Sequence, residues 1–345
     1  MRHLTPGRFA ATLAVGVAGL GAAIAFSLAT GASSIGVADA GRALFSPEAA
    51  DPVADIVRGI RLPRTLLAAL VGASLACAGV IFQALLRNPL ADPFILGVSG
   101  GAALGAILML SLGSAFGFGY SAVPVAAFAG CLLTLVLLFA VAGRTSRISP
   151  TGLLLTGVVF NAFASSAIVF LASLSGMLDG NRIFVWLIGN ISAIRLDVAP
   201  WLAGFLALGT LCALLSARGL NALALGEETA EQLGVSTEAQ RRLLLLAGSL
   251  MVGAAVSVSG LIGFVGLIVP HALRLVLGPD HRLLVPASVL GGAAFLVVCD
   301  ALARSLLAGR ELPVGAVTAL LGGPVFIWLL RRGQQKWLAP GSAAP

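Results

Sequence analysis

The chain has 345 residues, of which 59% are hydrophobic and only 10% carry a charged side chain. Soluble proteins carry about 25% charged residues, because their surface must be covered with polar groups. The composition therefore excludes a soluble enzyme, a disordered chain and a secreted disulfide scaffold. Apolar stretches of about 20 residues without two-residue alternation are typical of membrane-spanning helices, so an all-α polytopic membrane protein is predicted.

Ten apolar stretches are predicted to span the membrane as helices. The seventh and eighth are nearly continuous, so a tight turn or a break is expected at Val258-Ser259-Gly260. The first stretch follows basic residues, as a secretory signal does, but its length favours a retained span. In chain order the predicted spans cover residues 9–30, 62–85, 94–112, 122–142, 152–174, 198–215, 243–260, 261–277, 285–307 and 314–330.

The connection between the first two predicted spans, residues 33–61, is long. It begins with small polar residues and ends in a stretch where Pro52 is followed by Asp55. Proline and an acidic residue are typical of a first helical turn, so a short surface helix is predicted there. The segment 175–197 contains a half-length amphipathic stretch at 181–189, which we interpret as an interfacial or re-entrant helix rather than a span.

An acidic segment, residues 217–242, separates the sixth and seventh predicted spans. Gly226 is predicted to open a short acidic helix that stops at Gly234, and Ser236 or Thr237 is predicted to cap a second short helix. Two such helices would form a compact surface feature. The pattern by itself leaves open whether this feature is a solvated loop or a docking element for a partner.

The distribution of charge orients the predicted spans. With the N-terminus inside, thirteen basic and six acidic residues lie on the inner side, against eight of each on the outer side. Basic residues are enriched on the cytoplasmic side of membrane proteins, so this orientation is favoured. Because the number of spans is even, both termini are predicted to be cytoplasmic.

Few polar side chains are predicted within the membrane. Asp300 and Arg304 lie four residues apart, so they can pair on one helical face near its outer end. Ion-coupled transporters usually keep carboxylates at mid-depth, and none is predicted there. Asn161 and Gln83 are the main polar side chains at depth, and each either lines a translocation path or bonds to a neighbouring helix.

The sequence also excludes an ATPase site of the P-loop type. Lys336, near the C-terminus, is the only lysine, and no G-x-x-x-x-G-K-[ST] segment surrounds it. The net charge is +7, but no arginine run or basic helix favours nucleic-acid binding. The four cysteines have no C-x-x-C spacing and the three histidines are scattered, so no metal site is predicted.

Several long strings resemble the FecCD-type permeases, the membrane subunits of ABC importers for ferric siderophores, haem and cobalamin. The resemblance covers nearly the whole chain, with its motifs in the same order. The strings include RLPRTL at 61–66, QALLRNPLADP at 83–93, LGVSGGA at 96–102, GFVGLIVPH at 263–271 and ELPVG at 311–315.

The resemblance implies a type II ABC importer permease fold with ten transmembrane helices in a homodimer. It further implies two cytoplasmic ATPase subunits, which would bind ATP and Mg²⁺, and a periplasmic or lipoprotein substrate-binding protein outside. This chain would then be a single permease domain that binds no cofactor and is not an enzyme. The implied location is the bacterial inner membrane, and the chelate carried stays open among siderophore, haem and cobalamin.

Three groups of residues receive roles from the same resemblance. Arg61, Arg64 and Arg304 match arginines that dock glutamates of the binding protein, and arginine suits such pairing because its guanidinium binds a carboxylate through two hydrogen bonds. The cytoplasmic gate region is implied at Asn88, Leu90, Ser149 and Thr151. Coupling to the ATPase is implied for the acidic segment, through Gly226, Glu227, Glu228, Thr229, Ala230, Gln232, Leu233 and Gly234.

Two other functions compete with this interpretation. A self-contained secondary transporter or channel is disfavoured by the lack of predicted mid-membrane carboxylates and by the size of the acidic segment. A membrane scaffold without transport activity is the third alternative.

Overall fold

The computed structural model describes residues 5–31, 35–45, 52–142, 150–174, 177–191, 196–307 and 310–337. Throughout these ranges the regular secondary structure is helical, with no strands. The α-helices, in chain order from α1 to α15, are Pro6–Ala29, Val37–Phe45, Pro52–Ile56, Leu62–Leu85, Val98–Leu112, Val123–Ala142, Pro150–Leu174, Met177–Ile188, Ala199–Leu215, Ala217–Leu225, Glu227–Gln232, Thr237–Ser259, Val265–Leu277, His281–Ser305 and Val314–Trp337.

The helices follow the predicted spans closely. Seven helical stretches of the described chain are long and apolar enough to cross a membrane, and α5, α13 and α15 provide three shorter apolar helical stretches. Each predicted span overlaps one of these ten. The half-length segment predicted at 181–189 is also helical, as most of α8.

The connection before α4 differs from the prediction in two ways. The helix predicted after Pro52 is not separate, because α3 continues through a π-helical turn, Val57–Arg61, directly into α4. A π turn inserts an extra residue into a helix without ending it, so the proline marks the start of one long helix. Helix α2 has no counterpart among the predicted elements, and it packs on α1 and α3 through Ala40, Ala43 and Ala54.

The break predicted between the seventh and eighth spans is confirmed. Helix α12 ends at Ser259, and Gly260 has a φ of +68°, a left-handed conformation that glycine adopts at little cost. A second left-handed residue, Phe264, has a φ of +70° and lies directly before α13. The two helices are therefore separated by a five-residue break.

Helix α4 forms the centre of the bundle. Nearly all its residues are buried, and it packs against α9, α12, α13 and α14. Glycines make the closest approaches, because Gly79 faces the backbone of Gly266 on α13 and Gly72 faces the backbone of Gly292 on α14. Small residues of this kind let membrane helices pack at short distance.

We predict that Gly79→Ala destabilises the protein by about 1–3 kcal/mol, because the added methyl group would meet the carbonyl oxygen of Gly266. The matched control is Gly19→Ala on α1, where an added methyl group has open space. Unfolding of both variants in detergent measures the difference. Equal stability of the two variants would show that this helix crossing is not tightly packed.

Candidate functional site

Helix α14 runs between two groups of candidate residues, one at each of its ends. Its 25 residues correspond to a length of about 37 Å. Asp300 and Arg304 lie in its last two turns, near the start of α4 and the end of α1. Its first residue, His281, lies beside α10 in the acidic segment.

At the first end, a buried carboxylate is shared by two arginines. The Nε of Arg64 donates a hydrogen bond to Oδ1 of Asp300 at 2.8 Å, and the Nε of Arg304 donates to Oδ2 of the same residue at 3.0 Å. The Nη1 of Arg64 also donates to Oε2 of Glu311, at 2.7 Å. We call Arg61, Arg64, Asp300, Arg304 and Glu311 the arginine cluster.

Two arginines of the cluster, Arg61 and Arg304, also bind the C-terminal end of α1. Arg304 donates through Nη2 to the hydroxyl of Ser27 at 2.7 Å and through Nη1 to the carbonyl of Thr30 at 3.3 Å. Arg61 donates through Nη1 to the carbonyl of Leu28 at 2.6 Å. These carbonyls have no partner within their own helix, so the guanidinium groups satisfy them and complement the negative end of the helix dipole.

The three arginines assigned to docking thus lie together, but below the surface. Arg61 and Arg64 are each 3% exposed and Arg304 is 7% exposed. Asp300 has no exposed surface, whereas the side chain of Glu311 is 55% exposed. The predicted Asp300–Arg304 pair is confirmed, whereas the contact of Glu311, the first residue of the ELPVG string, was not predicted.

We predict that Asp300→Asn destabilises the protein by roughly 3–5 kcal/mol, because it leaves two buried arginines without their shared counter-charge. The control is Asp39→Asn, which breaks a pair with Arg42 whose side chains are 54% and 79% exposed. That change is expected to cost about 1 kcal/mol or less. Thermal unfolding in detergent compares them, and similar midpoints would contradict the importance of Asp300.

At the other end, the acidic segment forms two short helices, α10 and α11. Gly226 has a φ of +125° and separates them, and Gly234 has a φ of +80° and ends the turn after α11. The predicted second short helix after Ser236 is wrong, because Thr237 begins the long helix α12. The actual partner of α11 is α10, on its N-terminal side.

One face of α11 is held by α12, and the other is exposed. Glu227 forms an ion pair with the buried Arg241, and the hydroxyl of Thr237 donates to Oε1 of Glu231 at 3.1 Å. Ala230 is fully buried beneath the turn. The exposed face presents four of the residues assigned to ATPase coupling, namely Glu228, Thr229, Gln232 and Leu233.

Asn221 attaches α10 to the start of α14. Its Nδ2 donates to Oδ1 of Asp280 at 2.9 Å, and its Oδ1 accepts the backbone N–H of His281 at 2.8 Å. Asp280 also accepts hydrogen bonds from Arg282, and these hold the pKa of its carboxyl at about 2. The acidic segment is therefore fixed to the helix that carries the arginine cluster at its far end.

We predict that Arg282→Gln raises the pKa of Asp280 from about 2 towards its ordinary value near 3.9, because the main hydrogen-bond donor to the carboxylate is lost. Since the folded-state pKa is depressed, the stabilisation from Asp280 is present above about pH 4 and lost as the pH falls to about 2. A titration of ¹³C-labelled aspartate carboxyls, assigned with Asp280→Asn, measures the shift. An unchanged pKa in the variant would contradict the assigned cause.

The two residues proposed to line a path both bond to neighbouring backbone. Gln83 is 1% exposed, and its Nε2 donates to the carbonyl of Leu267 at 3.2 Å. Asn161 is half-buried on α7, and its Nδ2 donates to the carbonyl of Phe94 at 2.9 Å. Each therefore ties its helix to a neighbour, which is the structural alternative that the sequence left open.

Three of the four predicted gate residues lie in the described part of the chain. The side chain of Asn88 is exposed after α4, and its Oδ1 accepts the backbone N–H of Leu90 at 2.9 Å, which closes a local turn. Thr151 is exposed in the first turn of α7. Ser149 lies outside the described residues.

The long apolar helices, the buried ion-pair cluster and the exposed acidic segment define a multi-pass helical membrane protein. Residues 19–332 match the FecCD transport family, and the chain belongs to that family of ABC transporter permeases.

Relatives and a solved structure agree with this assignment. The hemin transport permease HmuU of Yersinia pestis is 39% identical over 312 residues, 90% of this chain and 93% of the relative. The cobalamin import permease BtuC of Halobacterium salinarum is 45% identical over 276 residues, 80% of this chain and 73% of the relative. A solved inward-facing metal-chelate type ABC transporter matches with a TM-score of 0.81 and 30% identity, over 94% of this chain and 99% of that one.

Proposed function

We propose that this chain is the permease subunit of an ATP-driven ABC importer that carries a metal chelate from a binding protein into the cytoplasm. The exposed face of α11 is the main support for this proposal, because an ion pair and a hydrogen bond to α12 hold this helix with that face outward, and the chain has no P-loop of its own. The energy source would then be a separate ATPase bound at this surface. The FecCD family match supports the same assignment.

Assembly with a second copy would cover exposed apolar surface of α7. Leu155, Val159, Phe163 and Val169 are each more than 60% exposed in the isolated chain. In the proposed homodimer the ten helices of each copy span the membrane, with both termini cytoplasmic, and the path runs between the copies. Asn161, which is half-buried on α7, is assigned to the path, and Asn88, Leu90, Ser149 and Thr151 are assigned to its cytoplasmic gate.

The proposed cargo is a ferric siderophore, haem or cobalamin. Relatives named for hemin and for cobalamin transport support a metal chelate as the cargo, and their names differ in which chelate is carried. The proposed location is the bacterial inner membrane, where a periplasmic or lipoprotein binding protein would deliver the chelate. Two ATPase subunits would bind ATP and Mg²⁺ on the cytoplasmic side.

We predict that Leu233→Asp lowers co-purification of the ATPase subunit at least about tenfold, because an exposed apolar contact of α11 becomes a charge. Leu233 is 65% exposed, as expected for a residue that meets a partner. The control is Phe45→Asp, the same kind of change at an 87% exposed position near the arginine cluster. Co-purification from cells that express both subunits measures the effect.

Loss of the ATPase with Leu233→Asp and retention with Phe45→Asp is the expected pattern. Unchanged co-purification of the Leu233 variant would contradict the coupling role of α11. Equal loss in both variants would show that ATPase binding does not depend specifically on the α11 end of the protein.

A further inference from the structure

Glu311 differs from every other member of the arginine cluster in its exposure. Its side chain is 55% exposed, yet it accepts a 2.7 Å hydrogen bond from Arg64, whose side chain is 4% exposed. It stands just before α15, separated from the first helical residue by Leu312 and Pro313. Among the cluster's members, Glu311 is thus the one that links the buried arginines to the surface.

Arg64 has more hydrogen-bonding capacity than its partners use. Its Nε binds Asp300 and its Nη1 binds Glu311, while its buried Nη2 has no partner in the described part of the chain. Among its five members the cluster holds three guanidinium groups and two carboxylates. An additional or replacement carboxylate is the ligand that this arrangement favours.

We propose that Glu311 is an internal competitor that occupies the place on Arg64 which a carboxylate of the substrate-binding protein takes on docking. This inference rests on the proposed function. Docking would proceed by exchange: the carboxylate of Glu311 leaves Nη1 of Arg64 and returns to water, and the carboxylate of the partner replaces it. The number of ion pairs to Arg64 is conserved.

Burial determines which carboxylate of the cluster can leave. Asp300 has no exposed surface and accepts bonds from two arginines, so its displacement would leave both without their shared acceptor. Glu311 is half in water and bonds to one arginine, and ion pairs with a well-exposed partner are weak. Exchange at Glu311 therefore opens access to Arg64 without dismantling the buried pair.

The experiment measures the affinity of the permease–ATPase complex in nanodiscs for a purified substrate-binding protein from the same organism. We expect Glu311→Gln to lower Kd about threefold to tenfold, because the competing charge is removed while the shape is kept. Glu311→Ala should act in the same direction, and thermal unfolding checks that both variants are folded.

Two controls separate exchange at Arg64 from a general charge effect. Asp39→Asn removes the same charge from an exposed pair on α2, which packs beside the same end of α1, and should leave Kd within about twofold. In an Arg64→Gln background the effect of Glu311→Gln should disappear, since the shared partner is absent.

An unchanged or higher Kd for both Glu311 variants would overturn the inference, as would equal tightening by Asp39→Asn. Either result would leave the docking role itself intact. Failure of the unaltered complex and of all variants to bind the protein would instead contradict the docking part of the proposed function, and this inference with it.

Discussion

The carboxylate of Asp300, held between Arg64 and Arg304, is the interaction on which the arrangement of α1, α4 and α14 depends. Burying an isolated charge is costly, so each charged group here needs its partner and its remaining hydrogen bonds. Those remaining bonds go to Ser27 and Thr30 at the end of α1. One fully buried residue thereby fixes the ends of three helices that are far apart in the chain.

The same helix that carries Asp300 begins at the acidic segment. Asn221 binds both Asp280 and the first residue of α14, so a displacement of α10 would act directly on that helix. The two surfaces assigned to partners, the exposed face of α11 and the arginine cluster, therefore lie at opposite ends of one continuous element. This arrangement suits an importer in which an ATPase on one side and a binding protein on the other must act on the same permease.

Local patterns predicted most of the helices, and contacts between distant residues could not be predicted. Hydropathy located the ten apolar helices, and the four-residue spacing predicted the Asp300–Arg304 pair. The bond from Arg64 to Asp300 joins residues 236 apart, so no local signal reports it. The burial of the arginines assigned to docking and the bond between Arg64 and Glu311 likewise depend on contacts between distant residues. The helix predicted after Ser236 was misassigned because a cap signal does not reveal how long the following helix is.

Transport by purified components distinguishes ATP-driven import from transport by this chain alone. Proteoliposomes containing this chain, with and without its ATPase subunit, are supplied with binding protein, ATP and labelled ferric siderophore, haem or cobalamin. Uptake of at least one of these chelates is expected when ATPase and ATP are both present, and none from the chain alone. Uptake by the chain without the ATPase would contradict the proposed ATP-driven import and identify a self-contained transporter.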